Sequence, residues 1–189
     1  MIEMVLYYKK SHNVTIKKKG KTKMKIEAII LAVISIIALA VNANAVEVSE
    51  NLLNAIFQVE SSGGKKLKGD YSKKTGEYRA IGPFQLWRCY VNDVNNILKM
   101  KGISKRYTYK DRWNYKKSRE MVIIYLKHYG RQFEIDSKRE ILKHSPELKG
   151  KIKVHCNDMQ LAMIHNGGPK GWKKGKCLKY WGKIQKELK

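Results

Sequence analysis

Nearly every apolar run in this chain repeats at helical spacing, and alternating strand patterns are almost absent. Ser49 can cap a helix over about residues 50–60, with Leu52, Ile56 and Val59 on one side. A second, over about 89–100, carries Val91, Val94, Ile97 and Leu98 and stops at Gly102. Residues 107–117 (YTYKDRWNYKK) form an irregular aromatic connector. After it Ser118 caps a helix bearing Met121, Val122, Ile124, Tyr125 and Tyr129, and Pro146 and Gly150 break the basic stretch that follows. Asn157 with Gln160 three residues on is a capping box for a helix holding Met159, Leu161, Met163 and Ile164. A last helix over about 178–188 places Tyr180, Trp181, Ile184 and Leu188 together. Residues 67–81 can pair as a short hairpin around Lys74, Thr75 and Gly76. The expected fold is mainly α, an α+β domain with one small hairpin. At 189 residues and 43% apolar content the chain can bury a core.

The start of the chain reads differently. Residues 28–41 (AIILAVISIIALAV) follow Lys21, Lys23 and Lys25 and precede Asn42-Ala43-Asn44-Ala45, the layout of a secretory signal peptide. The run is shorter than the roughly 20 residues a permanent membrane helix needs, so cleavage after Ala45 is expected, with an uncleaved membrane anchor as the alternative. Residues 1–45 are then leader, with Met1 or Met24 as its start, and residues 46–189 the functional domain, secreted or periplasmic.

Charge narrows the partners. Forty Lys and Arg against 16 Asp and Glu leave a formal +24, and removing residues 1–45 takes away only eight lysines and two glutamates. Such a surface attracts polyanions, or it is a lysine-rich solvated coat. No helix-turn-helix, zinc-finger or RNA-binding pattern accompanies it, so nucleic acid is not the expected partner. The three cysteines, Cys89, Cys156 and Cys177, match no zinc spacing. They read as packing residues or one optional bridge, Cys156 to Cys177, and neither a metal nor another cofactor is expected.

Within LLNAIFQVESSGG (52–64), Glu60 falls four residues after Ile56, on the apolar stripe. It also stands next to a Ser-Ser-Gly-Gly helix stop, at the negative end of the helix dipole. Both placements disfavour a carboxylate. Both therefore lift a glutamate above its usual pKa of about 4.3, which is what a general acid at neutral pH requires. AIGPFQL (80–86) and IHNGGPKGW (164–172) likewise set glycines and polar side chains beside apolar helices, suiting a cleft where backbone approaches a ligand closely.

In order, VESSG, Gly82-Pro83-Phe84-Gln85 and Asn166-Gly167-Gly168 resemble the lysozyme-like superfamily, in particular lytic transglycosylase and lysozyme-type domains that cut peptidoglycan. The His165–Pro169 loop and the trailing Tyr180-Trp181, Lys183 and Ile184 look especially similar to invertebrate-type lysozymes. The resemblance spans roughly residues 49–188 and implies a single lysozyme-like domain with its hairpin lining a glycan cleft. It puts the catalytic acid at Glu60 and implies glycan-binding roles for Ser61, Gln85, His165, Asn166, Gly167 and Tyr180. Gln85 would hydrogen-bond a sugar group or else satisfy its own loop, and Tyr180 would stand near the acid or pack in the core. Trp87, Trp113 and Trp172 can stack on sugar rings or pack in the core.

The family's cysteine framework is absent here. Its second carboxylate matches Asp70, with Glu77 as a rival, because an insertion separates Asp70 from Gly82. A hydrolase needs that second carboxylate. A lytic transglycosylase needs Glu60 alone, first as acid and then as base. The function that the resemblance implies is cleavage of the β-1,4 bond between N-acetylmuramic acid and N-acetylglucosamine by a lytic transglycosylase, with a muramidase using Asp70 or a non-catalytic glycan-binding protein as alternatives. Peptidoglycan strands and anionic wall polymers are the expected partners, a membrane only through the leader, and the molecule is expected to be a monomer.

Overall fold

The computed structural model describes residues 45–188. The expected leader, residues 1–45, lies outside them except for its last residue, Ala45. Five α-helices carry the fold: α1 Glu50–Ser61, α2 Arg88–Met100, α3 Tyr115–His144, α4 Asp158–Gly167 and α5 Lys176–Glu187. A two-stranded antiparallel hairpin, β1 Tyr71–Ser72 with β2 Glu77–Tyr78, pairs Tyr71 with Tyr78 and Ser72 with Glu77. The mainly helical α+β fold read from the sequence is the fold found.

Caps decide several boundaries. The Ser49 side chain accepts from the Leu52 N–H at the start of α1, and Ser62, in the left-handed region at φ 52°, ends it. Asn157 and Gln160 form the expected capping box at α4. The start of α3 differs from expectation. Asn114, not Ser118, is the cap and accepts from the Lys117 N–H, while Ser118 is buried inside the helix and donates to the Tyr115 carbonyl. The last three residues of the connector, Tyr115 to Lys117, thereby become helix.

The far end of α3 differs too, because the helix runs on to His144 through sequence with no apolar stripe. Ion pairs one turn apart line that extension, Arg131 to Glu134 at 2.9 Å, Arg139 to Asp136 at 3.6 Å and Lys143 to Glu140 at 2.9 Å. Such pairs contribute only about 0.2–0.5 kcal/mol each, so continuous helix propensity carries this segment until Pro146 interrupts it.

α1 and α4 both pack on α5, while α3 lies against α2 and α4. Leu52, Leu53 and Ile56 of α1 meet Val91, Val94 and Ile97 of α2, Met121, Val122 and Leu126 of α3, Leu161 and Ile164 of α4 and Ile184 of α5 in one core. Phe84 and Leu86 bring the segment between the hairpin and α2 into it, and Val46 joins from the N-terminal side. All three cysteines are free, so the Cys156–Cys177 bridge is not formed. The two thiols pack at different glycines, Cys156 at Gly130 of α3 and Cys177 at Gly167 of α4.

Candidate active site

Two segments that reach the core flank one cleft, and each is keyed by a glycine pressed onto main chain. Gly82, at φ +82°, lies so close to the Arg112 carbonyl that a Cβ there would sit 1.8 Å from its oxygen. Gly171 meets the Met163 carbonyl in the same way, at 1.9 Å. The first contact fixes the Ala80–Trp87 segment. The second seats the turn after α4 on that helix, whose last residues are Asn166 and Gly167 and whose C-cap is Gly168. Between them opens a cavity of about 700 Å³ with Glu60 and His165 in its lining.

Glu60 comes from the last turn of α1, with its side chain 18% exposed. Burial pushes its pKa up to about 7. The Tyr180 hydroxyl and Lys183 oppose that rise, and the charge of Asp70 adds to it. His165, from α4, brings its Nε2 to 3.6 Å from the Glu60 carboxyl, a distance suited to an ion pair. No ion pair forms at neutral pH, because burial drives the imidazole down to about 4, against a weaker upward pull from the Phe84 carbonyl. Between those two values the site holds a neutral imidazole beside a protonated carboxyl. His165 Nδ1 lies 3.4 Å from the Tyr90 hydroxyl on its other side. The Tyr180 hydroxyl is buried without a well-formed hydrogen bond and interacts with Glu60, which helps raise the phenol far above its usual range.

The raised acid makes stability depend on pH. A carboxyl that holds its proton to about 7 when folded, against 4.5 when free, favours the fold fully below 4.5 and loses that contribution as pH rises through 7. Glu60→Gln should therefore match the wild type near pH 4 and exceed it above pH 7.5 by on the order of 3 kcal/mol. Urea titrations of both proteins across that range check it. Parallel curves would place the Glu60 carboxyl in ordinary solvent.

The remaining expected residues separate into groups. Asp70, exposed at the base of the hairpin, lines the same cavity as Glu60. Glu77 does not. It pairs with Arg88 at 2.9 Å and lines a different recess. Asn166, Gly167 and Gly168 form the facing wall, where Lys174 Nζ donates to the Gly167 carbonyl at 2.5 Å. Gln85 lines the cleft, but its amide N–H groups go to its own loop, to the Gly82 carbonyl at 2.8 Å and the Lys66 carbonyl at 3.1 Å. Gln85 itself stands in the left-handed region at φ 46°, and its side-chain carbonyl oxygen lies against Gly69. Ser61 is fully buried, donates to the Phe57 carbonyl and accepts from the Gly64 N–H, closing α1 rather than facing the cavity. Tyr180, 8% exposed, stands behind Glu60 rather than in the lining.

Of the three tryptophans, Trp87 is 43% exposed and lines the cleft. Trp172 packs edge-on against Phe133, and Trp113 stands on the surface elsewhere. Sequence reasoning missed the lysines at the cleft's end, Lys174 and Lys176, and the buried Arg112 behind its loop. Among 40 basic residues none of the three carries a distinguishing signal. Among the described residues, no group of three or more His, Cys, Asp and Glu side chains is placed to hold a metal ion.

No protein-family model matches the chain, and no curated protein matches it. Solved structures do. Tapes japonica lysozyme is similar at 23% identity over 73% of this chain and 89% of its own, with a TM-score of 0.49. A chain in the complex of Aeromonas hydrophila PliI with Meretrix lusoria lysozyme is similar at 22% identity over 74% and 89%, with a TM-score of 0.47. The likeness is one of fold.

Proposed function

We propose that this protein cleaves the β-1,4 bond between N-acetylmuramic acid and N-acetylglucosamine in peptidoglycan, as a lytic transglycosylase with Glu60 as its general acid and base. The observation that carries the reading is the Glu60 carboxyl, which keeps its proton up to about pH 7 in an open cleft lined by Trp87, Asn166 and two lysines. Glu60 delivers that proton to the glycosidic oxygen as the C1–O bond breaks. The resulting carboxylate then takes the proton of the sugar's own 6-hydroxyl, whose oxygen bonds to C1 and closes a 1,6-anhydro ring. Neutral His165 suits this cycle, since a cationic imidazole at 3.6 Å would hold Glu60 ionised.

One observation favours a second reading. Asp70 lines the same cavity, and its charge reaches Glu60. This supports Asp70 as the second carboxylate of a muramidase, where it would help deliver water to C1 and a reducing end would be left. The signal-peptide layout accords with a substrate outside the cell, and cleavage after Ala45 would make the buried Val46 the first residue.

Digestion of purified peptidoglycan with mass analysis of the products tests both readings. A transglycosylase gives anhydro ends, and Asp70→Asn retains most of the activity. Reducing ends, with loss in Asp70→Asn of about a hundredfold or more, would establish the hydrolase instead. A wild type that sediments with the wall and releases nothing would be a binding protein.

A further inference from the structure

Trp113 finds no place in the cleft or in the core. It is 42% exposed and, among the described residues, stacks on no aromatic ring and lies under no cation. The other tryptophans are accounted for, Trp87 in the cleft, Trp172 against Phe133 and Trp181 against the core. A bare indole face on a surface this rich in lysine is an unfilled contact.

Its neighbours form a recess of about 330 Å³ with Tyr78, Tyr109, Arg88, Glu77 and Lys110 in the lining. One of its aromatic walls is braced. Tyr109 is held by the Arg88 guanidinium 5.0 Å from its ring centre and by a 2.9 Å hydrogen bond from its hydroxyl to Asn92. Trp113 ends the short 3-10 turn Tyr109–Trp113, whose backbone is pressed onto Gly82. The recess and the cleft therefore share one stretch of chain, Ala80, Leu86 and Trp87 facing the cleft and Ile81 and Arg88 facing the recess.

We propose that this recess is a second, non-catalytic glycan-binding site that takes an amino-sugar strand by stacking a pyranose ring on Trp113. Pyranose rings present apolar C–H faces to an indole, and their hydroxyl and acetamido groups need donors and acceptors together. The Arg88–Glu77 pair, both members more than half exposed, supplies both. Lys110 in the lining would also attract an anionic polymer, which the Glu77 carboxylate opposes, so the indole contact is what marks a sugar ring. The glycan's identity rests on the reading of the cleft, and the site itself does not. It would hold a neighbouring strand while the cleft works on another, adding the gain of two linked contacts.

The test uses Glu60→Gln as parent, so that nothing is cut, and measures sedimentation with insoluble peptidoglycan. Adding Trp113→Ala should weaken binding about fivefold, the order expected for one stacking ring, and Trp113→Tyr should restore most of it. A soluble N-acetylglucosamine oligomer should compete for the portion lost. In the catalytically intact protein, Trp113→Ala should leave turnover of short soluble fragments unchanged. Should Trp113→Ala fold poorly, Arg88→Gln should weaken sedimentation in the same direction. Sedimentation equal to the parent's in both variants overturns the proposal. So does a loss seen only at low salt and insensitive to the oligomer, which would mark an anionic polymer. A wild type that cuts nothing, with the Trp113 effect intact, would remove the cleavage reading and leave this site standing.

Discussion

Glu60→Gln is expected to lower the cleavage rate by about 10²–10⁴-fold while leaving adsorption to peptidoglycan intact. The amide keeps the shape of the carboxyl and its place at the end of α1, so the loss reads the proton and not the fold. The wild-type rate should fall as pH rises through about 7, where Glu60 gives up its proton. His165 has already lost its own near 4 and adds no limb there. A rate profile from pH 5 to 9 with both proteins checks this, and any residual activity of the variant should lack that limb. Equal product from the two proteins would remove Glu60 from the reaction. A wild-type rate that keeps rising past pH 8 would mean that the acid is a different group.

Arg112→Met is expected to cost on the order of 3 kcal/mol of stability, the scale for taking a charged donor away from backbone carbonyls that it holds. Arg112 is 3% exposed and holds three backbone carbonyls: Nε donates to Tyr109 at 3.0 Å, and Nη1 to Arg79 at 3.1 Å and Leu86 at 2.8 Å. Methionine fills similar space and offers no donor, so all three carbonyls lose this partner, Leu86 in a buried contact and the other two in part-buried ones. Arg112→Lys should recover little, because one ammonium cannot span three acceptors fixed for a planar guanidinium. Urea midpoints of the three proteins measure this. A cost below about 1 kcal/mol for the methionine variant would show the loop to be held by its apolar anchors Phe84 and Leu86 alone.

What the sequence showed, and what it hid, follows the distance over which each feature is decided. The caps at Ser49 and at Asn157–Gln160 are local pairings within one turn, and both are found. The α3 boundary was obscured because Asn114 and Ser118 are both competent caps four residues apart, and apolar spacing does not choose between them. The extension of α3 to His144 has no buried face to leave a period. Glu60 was legible because a single acid interrupts an apolar stripe. The holding role of Arg112 was not, because its acceptors at Arg79 and Leu86 are carbonyls 33 and 26 residues away, which no side-chain pattern marks. Gln85 shows an intermediate case, in which the residue was found and the structure shows its donors occupied by its own loop.

The glycine contacts at Gly82 and Gly171 bear on how this cleft can be altered. Each seats a loop directly on another segment's carbonyl, with no side chain between to be trimmed or enlarged. Aperture is therefore set by main-chain thickness, and repacking the core beneath cannot slide either loop outward by a fraction of an ångström. A broader ligand has to be admitted by shortening side chains on the rim, with Trp87 the largest available. A narrower specificity can be reached by lengthening others at Asn166 or Lys176, while the two seats stay as they are. Recognition and scaffold are separable here, so rim substitutions should exchange ligand preference at little cost to folding.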